Sequence, residues 1–175
     1  MNLATAMRRF LIPASIVSLY GYAKFRCRIS TRAEVELGPF LRIGRGTQIS
    51  SFVKIKSSYG PLEIGRGVSI ATGCFIASHE GGVVIGDDTM LGPNVVIVGV
   101  NYRYDRLDVP IQHQGDTSKG IRIGKDVWLG GNVVVTDGAE IGDHTIVGPG
   151  SVVTGKLPDR VIASGNPAKV VFRRR

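Results

Sequence analysis

The stretch IGKDVWLGGNVVVTDGAEIGDHTIVGPGSVVTG, from Ile123 to Gly155, carries a branched apolar residue at every sixth position. These positions are Ile123, Leu129, Val135, Ile141, Val147 and Val153. A period of six fits neither a helix, with about 3.6 residues per turn, nor the simple alternation of a half-buried strand. It fits a three-sided coil whose sides are short strands, whose corners are turns and whose branched side chains stack inside. The stretch therefore predicts a parallel β-solenoid.

The same period extends towards the N-terminus in three groups of three. Each group begins with an Ile-Gly pair and starts 21 residues after the previous group. Their apolar positions are Ile43, Ile49, Ile55, Ile64, Ile70, Ile76, Ile85, Leu91 and Ile97. A coil of this length has three more residues at one corner than a coil of three sixes. Neighbouring coils are expected about 4.8 Å apart. Burial of each ladder side chain is worth about 1.5–3 kcal/mol, so the ladder is the expected core.

The period divides the chain into three parts. Residues 1–34 are predicted to form a helical or irregular cap, residues 35–157 the solenoid, and residues 158–175 a C-terminal capping tail. The repeat is interrupted at residues 98–122, a polar insertion that we expect to project as a loop; such insertions are usually functional. The apolar run from Phe10 to Ala23 is shorter than the roughly 20 residues that span a bilayer. It is interpreted first as a cap and second as a segment in peripheral contact with a membrane.

Composition and charge narrow the class of protein. The chain has 175 residues with 24 glycines, and its net charge is +8. This charge either serves general solubility or indicates an anionic partner, such as nucleotide phosphates or an anionic membrane. Cys27 and Cys74 match no metal or redox spacing, and without a secretory signal they predict a cytoplasmic location, with a peripheral position at the inner face of the membrane as a variant. No nucleic-acid partner is expected, because no basic stripe with stacking aromatics is present.

With these repeats the chain resembles the hexapeptide-repeat acyltransferases, from about Ile43 to Val171. The stretch quoted above and LPDRVIASGNPAKVV, from Leu157 to Val171, are similar to the closing coils of sugar and polysaccharide O-acetyltransferases. The resemblance implies an all-β, left-handed parallel β-helix that forms a homotrimer with active sites between subunits. It also implies an acetyl-CoA-dependent O-acetyltransferase, with no metal, that modifies a sugar hydroxyl in capsule, O-antigen or exopolysaccharide biosynthesis.

The insertion corresponds to the family's loop that carries the acceptor-activating histidine. Asn101 and Asp105 match the flanks of the family's motif, but Tyr102 stands at the histidine position. A hydroxyl must lose its proton as it attacks a thioester, and an imidazole with a pKa near 6.5 can accept that proton. A phenol, with a pKa near 10, is only about 0.1% ionised at pH 7. Tyr102 is therefore better suited to orient the acceptor than to act as the base.

His79 is the first candidate to replace the missing histidine. It precedes Glu80, lies one coil before Tyr102, and resembles the His-Glu pair used by some sugar N-acetyltransferases of the superfamily. The alternative is a corner residue hydrogen-bonded to backbone. The residues that the resemblance assigns to acceptor binding are Glu80, Asn101, Asp105 and Thr72.

The other two histidines are weaker candidates. His113 lies in the loop and is expected to face solvent, and His144 is expected at a corner on the donor side. No two of the three histidines are close in sequence, so a zinc site of the γ-class carbonic anhydrase kind is not expected.

The donor is expected in the groove between adjacent subunits, beyond the loop. The residues that match the family's coenzyme A contacts are Gly131, Pro149, Thr154, Lys156 and Lys169. Pro149 lacks a backbone N–H, and Gly155 stands where many relatives have a lysine directly after the threonine. The terminal run Arg173–Arg175 either binds phosphate or is a solvated tail. Trp128 is interpreted as a packed corner residue rather than an adenine platform.

Two alternatives to O-acetylation stay open. The first is an N-acetyltransferase that acts on an amino sugar nucleotide. The second is a catalytically silent β-helix scaffold, which the tyrosine at position 102 favours.

Overall fold

The computed structural model describes residues 13–175, which form a three-sided parallel β-helix. We call its sides faces A, B and C, in the order in which the chain visits them. The strands of face A are Arg28–Ile29, Gln48–Ile49, Ser69–Ile70, Met90–Leu91, Trp128–Leu129, Ile146–Val147 and Val161–Ser164. The strands of face B are Glu34–Val35, Lys54–Lys56, Phe75–Ala77, Val96–Val98, Val134–Thr136 and Val152–Val153. The strands of face C are Leu41–Ile43, Leu62–Ile64, Val83–Ile85, Ile121–Ile123, Glu140–Ile141 and Lys156–Leu157.

The six-residue ladder is the core of this prism, as the sequence predicts. On face B, Ile55, Ile76, Ile97, Val135 and Val153 follow one another in parallel register. Each of them is at most 1% exposed, and the equivalent ladders of faces A and C are buried as well. Because each coil buries only a few side chains and adds one layer, the coils stabilise one another by stacking.

The corners turn the chain through backbone conformations with positive φ. Asp88 and Asp126, at the corner between faces C and A, have φ values of 58° and 50°. The Asp126 N–H donates to the Asp87 carbonyl of the coil below at 2.9 Å. Short polar residues tolerate this conformation better than branched ones, which accounts for the Asp and Asn residues after the apolar positions.

The three extra residues of each early coil lie at the corner between faces B and C. There the chain takes residues 57–61 and then 78–82 to pass from one face to the next, whereas the later coil needs only residues 137–139. This wide corner, which we call corner B/C, is also where the loop insertion leaves the prism. The three extra residues of the 21-residue repeat thus make corner B/C wider than the other two corners.

The N-terminal end is closed by a short helix that lies on the first coil. An α-helix, Ala14–Tyr20, continues into a π-helical turn, Gly21–Phe25. Val17 and Gly21 are buried, and the Cys27 thiol donates to the Gly21 carbonyl at 3.3 Å. The first strand of the prism begins at Arg28, so the coils start within the region predicted as a cap over residues 1–34. The part of that prediction on residues 1–12 lies outside the described residues.

The C-terminal end is closed by an antiparallel strand. Val161–Ser164 is the last parallel strand of face A, and Lys169–Arg173 turns back to pair with it. The segment 158–175, predicted as a capping tail, thus contributes strands to the sheet of face A. None of the helices within residues 13–175 is long and apolar enough to cross a lipid bilayer.

Candidate active site

The loop insertion leaves face B after Val98 and joins face C at Ile121. Its base is a two-stranded antiparallel hairpin in which Asn101–Tyr102 pairs with Asp116–Thr117. Its tip contains the 3₁₀ turn Ile111–His113. The hairpin places Tyr102 directly opposite Asp116.

Two side chains fasten the loop to the prism. The Ser118 hydroxyl donates to the Gly99 carbonyl at 2.6 Å and accepts the Gly81 N–H at 2.9 Å. Asp137, which is 6% exposed, accepts the N–H groups of Lys119 and Gly120 at 2.8 and 2.9 Å. These contacts fix both ends of the hairpin relative to corner B/C.

The tip of the loop is held internally and exposes apolar side chains. The Gln114 amide donates to the carbonyls of Arg106 and Val109 at 2.6 and 2.7 Å. Tyr104 is 77% exposed and Leu107 is fully exposed, with Ile111 beside them at 56%. An ordered tip with exposed apolar groups is typical of a segment that packs against another surface.

His79 lies on corner B/C, one coil below the loop. Its carbonyl accepts the Gly82 N–H at 2.8 Å, and a Cβ on Gly60 would lie 1.8 Å from that same oxygen. Residue 60 must therefore be glycine for the two coils to approach this closely. The adjacent Ser78 hydroxyl donates to the Gly60 carbonyl at 2.7 Å. The position of His79 is thus set by tight backbone packing.

The imidazole of His79 connects the prism to the loop. Its Nε2 lies 3.8 Å from an Asp116 carboxylate oxygen, and its ring stacks on Tyr59 with centroids 5.8 Å apart and an interplanar angle of 14°. Its Nδ1 is buried and has no hydrogen-bond partner among residues 13–175. Nε2 is therefore the ring nitrogen that faces the loop. The alternative, a corner residue hydrogen-bonded to backbone, also fits the main chain of His79, whose carbonyl accepts the Gly82 N–H.

The predicted acceptor-binding residues divide into two groups. Glu80, Asn101 and Asp105 are exposed: Glu80 follows His79 on corner B/C, Asn101 lies in the loop hairpin, and Asp105 lies in the loop beyond it. Thr72 lies on the corner between faces A and B, where its hydroxyl donates to the Ser51 carbonyl at 2.8 Å. Within one chain Thr72 is therefore on a different edge from His79. Tyr102, also on the loop hairpin, is 59% exposed.

The remaining histidines lie away from this group. His113 is exposed in the loop tip. His144 lies on the corner between faces C and A, where its Nδ1 is 2.8 Å from Asp126 Oδ2. The hydrogen bond with His144 holds the pKa of Asp126 below its ordinary value. Among residues 13–175, no three His, Cys, Asp or Glu side chains are grouped as a metal site would require.

The predicted donor-binding residues are distributed over two corners and over faces A and C. Thr154 lies at the upper end of corner B/C, and Lys156 lies on the adjoining strand of face C, where its Nζ pairs with Glu140 at 2.9 Å. Gly131 and Pro149 lie on the corner between faces A and B. Lys169 belongs to the antiparallel strand on face A. One chain therefore does not bring these five residues together.

Trp128 corrects an expectation from the sequence. It stands on a strand of face A and not at a corner, and it is 48% exposed beside Met90 and Ile146 of the neighbouring coils. Its position follows from the repeat, because the residue before each buried ladder position points outward.

Four residues of the site escaped the sequence analysis: Tyr59, Asp116, Ser118 and Asp137. The position of Tyr59 could have been predicted from the period of 21 residues, because that offset places residues 58 and 59 one coil below His79 and Glu80. No such offset exists for Asp116, because the hairpin pairing within residues 99–120 does not follow the repeat.

Two models of hexapeptide-repeat families match this chain. The family of "Bacterial transferase hexapeptide (six repeats)" matches residues 120–155, and "Hexapeptide repeat of succinyl-transferase" matches residues 82–101. The fold and the repeats define a left-handed parallel β-helix protein of the transferase type. The chain carries the hexapeptide repeats of these transferase families, and its sequence is similar to those of sugar O-acetyltransferases.

Known proteins show the same relationship. A Mycobacterium tuberculosis protein assigned as an acetyltransferase is 35% identical over 75% of this chain and 49% of its own length. WbbJ of Escherichia coli, assigned as a lipopolysaccharide biosynthesis O-acetyl transferase, is 34% identical over 71% of this chain and 56% of its own length. The chain thus spans about half the length of these relatives.

A solved structure supports the fold. A mutant of AntD, an N-acyltransferase from Bacillus cereus in complex with dTDP and coenzyme A, superposes with a TM-score of 0.78. The alignment covers 90% of this chain and 88% of that one, at 20% identity.

Proposed function

We propose that the protein transfers an acetyl group from acetyl-coenzyme A to a sugar hydroxyl in the biosynthesis of a cell-surface polysaccharide. The observation that carries this proposal is the position of His79, on corner B/C beneath the loop and with its Nε2 facing Asp116. The family and the relatives supply the reaction class, since WbbJ is assigned to lipopolysaccharide O-acetylation. The predicted cytoplasmic location stays a prediction.

In this proposal His79 is the general base. Its Nε2 accepts the hydroxyl proton as the acceptor oxygen forms a bond to the acetyl carbon of the thioester. The carbon–sulfur bond then breaks, and the imidazolium returns the proton to the departing thiolate. The Asp116 carboxylate, 3.8 Å from Nε2, is placed to offset the positive charge that the ring carries after it has taken the proton. Since Nδ1 has no hydrogen bond to orient the ring, stacking on Tyr59 performs that task.

The donor site is completed by a second copy in this proposal. Thr154 and Lys156 lie on corner B/C and the adjoining edge of face C, and Gly131 and Pro149 lie on the corner between faces A and B. A groove between two chains therefore unites both sets, each chain contributing one of them. A closed homotrimer repeats that groove three times. In that groove Lys156 would exchange its ion pair with Glu140 for one with a donor phosphate. An exposed surface ion pair adds little to stability, so breaking it costs little free energy. The exposed loop tip at Leu107 would pack on the neighbouring copy.

A second candidate acceptor is the amine of an amino sugar nucleotide. The observation in its favour is the adjacent pair His79 and Glu80, with the Glu80 carboxylate exposed next to the base. An ammonium acceptor must also lose a proton before it attacks, so the same base serves both reactions. A panel with both hydroxyl and amine acceptors therefore decides between them.

The test measures release of free coenzyme A thiol from acetyl-coenzyme A with that panel. His79→Ala should lower kcat about 100- to 10,000-fold, the usual contribution of a general base, while calorimetry shows donor affinity unchanged. His113→Ala and His144→Ala are matched controls and should keep the wild-type rate, because both side chains lie away from corner B/C.

Retention of turnover by His79→Ala would refute the assignment of the base. A wild-type protein that binds donor but transfers acetyl to no acceptor, also after Tyr102→His, would instead favour the silent scaffold.

A further inference from the structure

The helix at the N-terminal end of the prism has an apolar side that no described residue covers. Among residues 15–25, whose burial the structure describes, Val17 and Gly21 are the buried ones. Ile16 is 54% exposed, Leu19 69% and Tyr22 67%. The segment from Ala14 to Ala23 contains no charged residue. An apolar helix side of this kind normally contacts another apolar phase.

Cationic residues surround this apolar side. Residues 1–50 contain eight Lys or Arg and two Asp or Glu, so six of the eight net positive charges of the chain lie there. Arg26, Arg28, Arg32 and Arg45 are all exposed. Within residues 13–175 none of these four guanidinium groups has a carboxylate partner. The two acidic residues are engaged elsewhere, Glu34 with Lys54 at 2.8 Å and Glu36 with Ser58 at 2.7 Å.

Aromatic and cationic groups alternate next to the helix. Lys24 Nζ donates to the Tyr20 hydroxyl at 2.5 Å and lies 5.4 Å from the centre of the Phe25 ring. A cleft of about 420 Å³ has Tyr22, Ala23, Arg26 and Arg45 among its lining residues. Two guanidinium groups at one cleft are suited to bidentate contact with a phosphate. Tyrosine rings with cationic neighbours are common at the boundary between lipid tails and headgroups.

We propose that this end of the prism docks on an anionic phospholipid bilayer. The apolar side with Ile16, Leu19 and Tyr22 enters the boundary of the acyl chains, and the cleft with Arg26 and Arg45 binds a lipid phosphate. A second copy of the chain is disfavoured as the occupant, because two such ends would bring unpaired guanidinium groups of like charge together. The proposal is independent of the reaction proposed above, since it uses none of the residues on corner B/C.

The test is flotation of the purified full chain with vesicles of phosphatidylcholine alone and of phosphatidylcholine mixed with phosphatidylglycerol. Binding should require phosphatidylglycerol and should weaken as salt rises, since salt screens the surface charges. Leu19→Asp should weaken the apparent vesicle affinity at least about tenfold, and so should Arg26→Glu combined with Arg45→Glu. Circular dichroism and thermal unfolding of each variant verify that it is folded.

The matched control reverses two exposed charges elsewhere on the prism, Arg122→Glu with Arg160→Glu. This variant has the same net charge as the arginine double variant and should bind vesicles like the wild type. Equal loss in the control would overturn the proposal, because net charge alone would then explain binding. No binding of the wild type to anionic vesicles at low salt would also overturn it. So would a larger assembly in solution that Leu19→Asp dissociates, which would identify a second copy as the occupant.

Discussion

At the scale of single residues, close backbone contact decides where His79 stands. The corner of the coil below passes so near the His79 carbonyl that only glycine fits at position 60. The imidazole is then placed between Tyr59 and Asp116, which belong to the coil below and to the loop above. The position of the His79 ring on corner B/C thus depends on residues of its own coil, of the coil below and of the loop above.

Another residue-scale feature is the ion pair between Arg66 and Asp87 on neighbouring coils. Arg66 Nη2 and Nε donate to Asp87 Oδ2 at 2.6 and 3.0 Å. The Arg66 guanidinium holds the pKa of Asp87 below its ordinary value, first through the side-chain hydrogen bonds. A lowered folded pKa means that the contact adds stability above the unfolded pKa of about 3.9. This contribution is lost as the pH falls through the folded pKa.

Arg66→Gln should therefore raise the pKa of Asp87 towards that of an ordinary aspartate, as measured by carboxyl ¹³C shifts in an NMR titration. Arg42→Gln, which removes a longer contact to Glu63 at 3.6 Å, should leave the Asp87 titration unchanged. An unaltered Asp87 pKa in Arg66→Gln would show that the backbone N–H of residue 66, at 2.7 Å from Oδ1, accounts for the shift.

At the scale of elements, the loop is an insertion whose return strand is fastened by a buried carboxylate. Asp137 lies on the next coil of corner B/C and accepts two N–H groups at the end of the loop. Because Asp116 lies only a few residues earlier, its distance from His79 depends on this anchor. The hairpin and the prism therefore act as one unit at the candidate site.

Asp137→Ala should lower the free energy of unfolding by about 1–3 kcal/mol, because it removes the acceptor of the N–H groups of Lys119 and Gly120. Amide hydrogen exchange at these two residues should accelerate, and kcat should fall because Asp116 is no longer held beside His79. Asp108→Ala breaks an exposed pair with Arg106 at the loop tip and should leave exchange at residues 119 and 120 unchanged. Unchanged exchange in Asp137→Ala would show that the loop does not need this anchor.

At the scale of the whole molecule, the outward surfaces of the prism differ in character. Face B presents Phe75, Val96, Val134 and Val152 in register on its outer side. Face C presents charged residues, Glu63, Arg122 and Glu140 among them. An apolar face next to a projecting loop is typical of a subunit interface, whereas a charged face is typical of a surface exposed to solvent. This asymmetry supports the proposed trimer.

Sedimentation equilibrium should give three copies of the 18.7-kDa chain, a mass of about 56 kDa for a closed trimer. Leu107→Glu should weaken assembly and turnover together, because it places a charge where the loop tip would be buried on the neighbouring copy. Glu63→Gln, on the charged face, should change neither. A monomer with full activity would contradict the shared site.

The sequence by itself determined the prism. A strict period of six gives every coil the same strands and turns, and each coil contacts only its neighbours. The same local rule located the buried ladder from Ile43 to Val153, the position of the insertion and the level at which His79 stands. The tertiary structure decided what the period does not encode. The pairing of Tyr102 with Asp116 and the anchor at Asp137 both arise from contacts of the loop with segments distant in sequence. Such contacts depend on how the irregular loop folds back on the regular coils, and no repeat fixes that path.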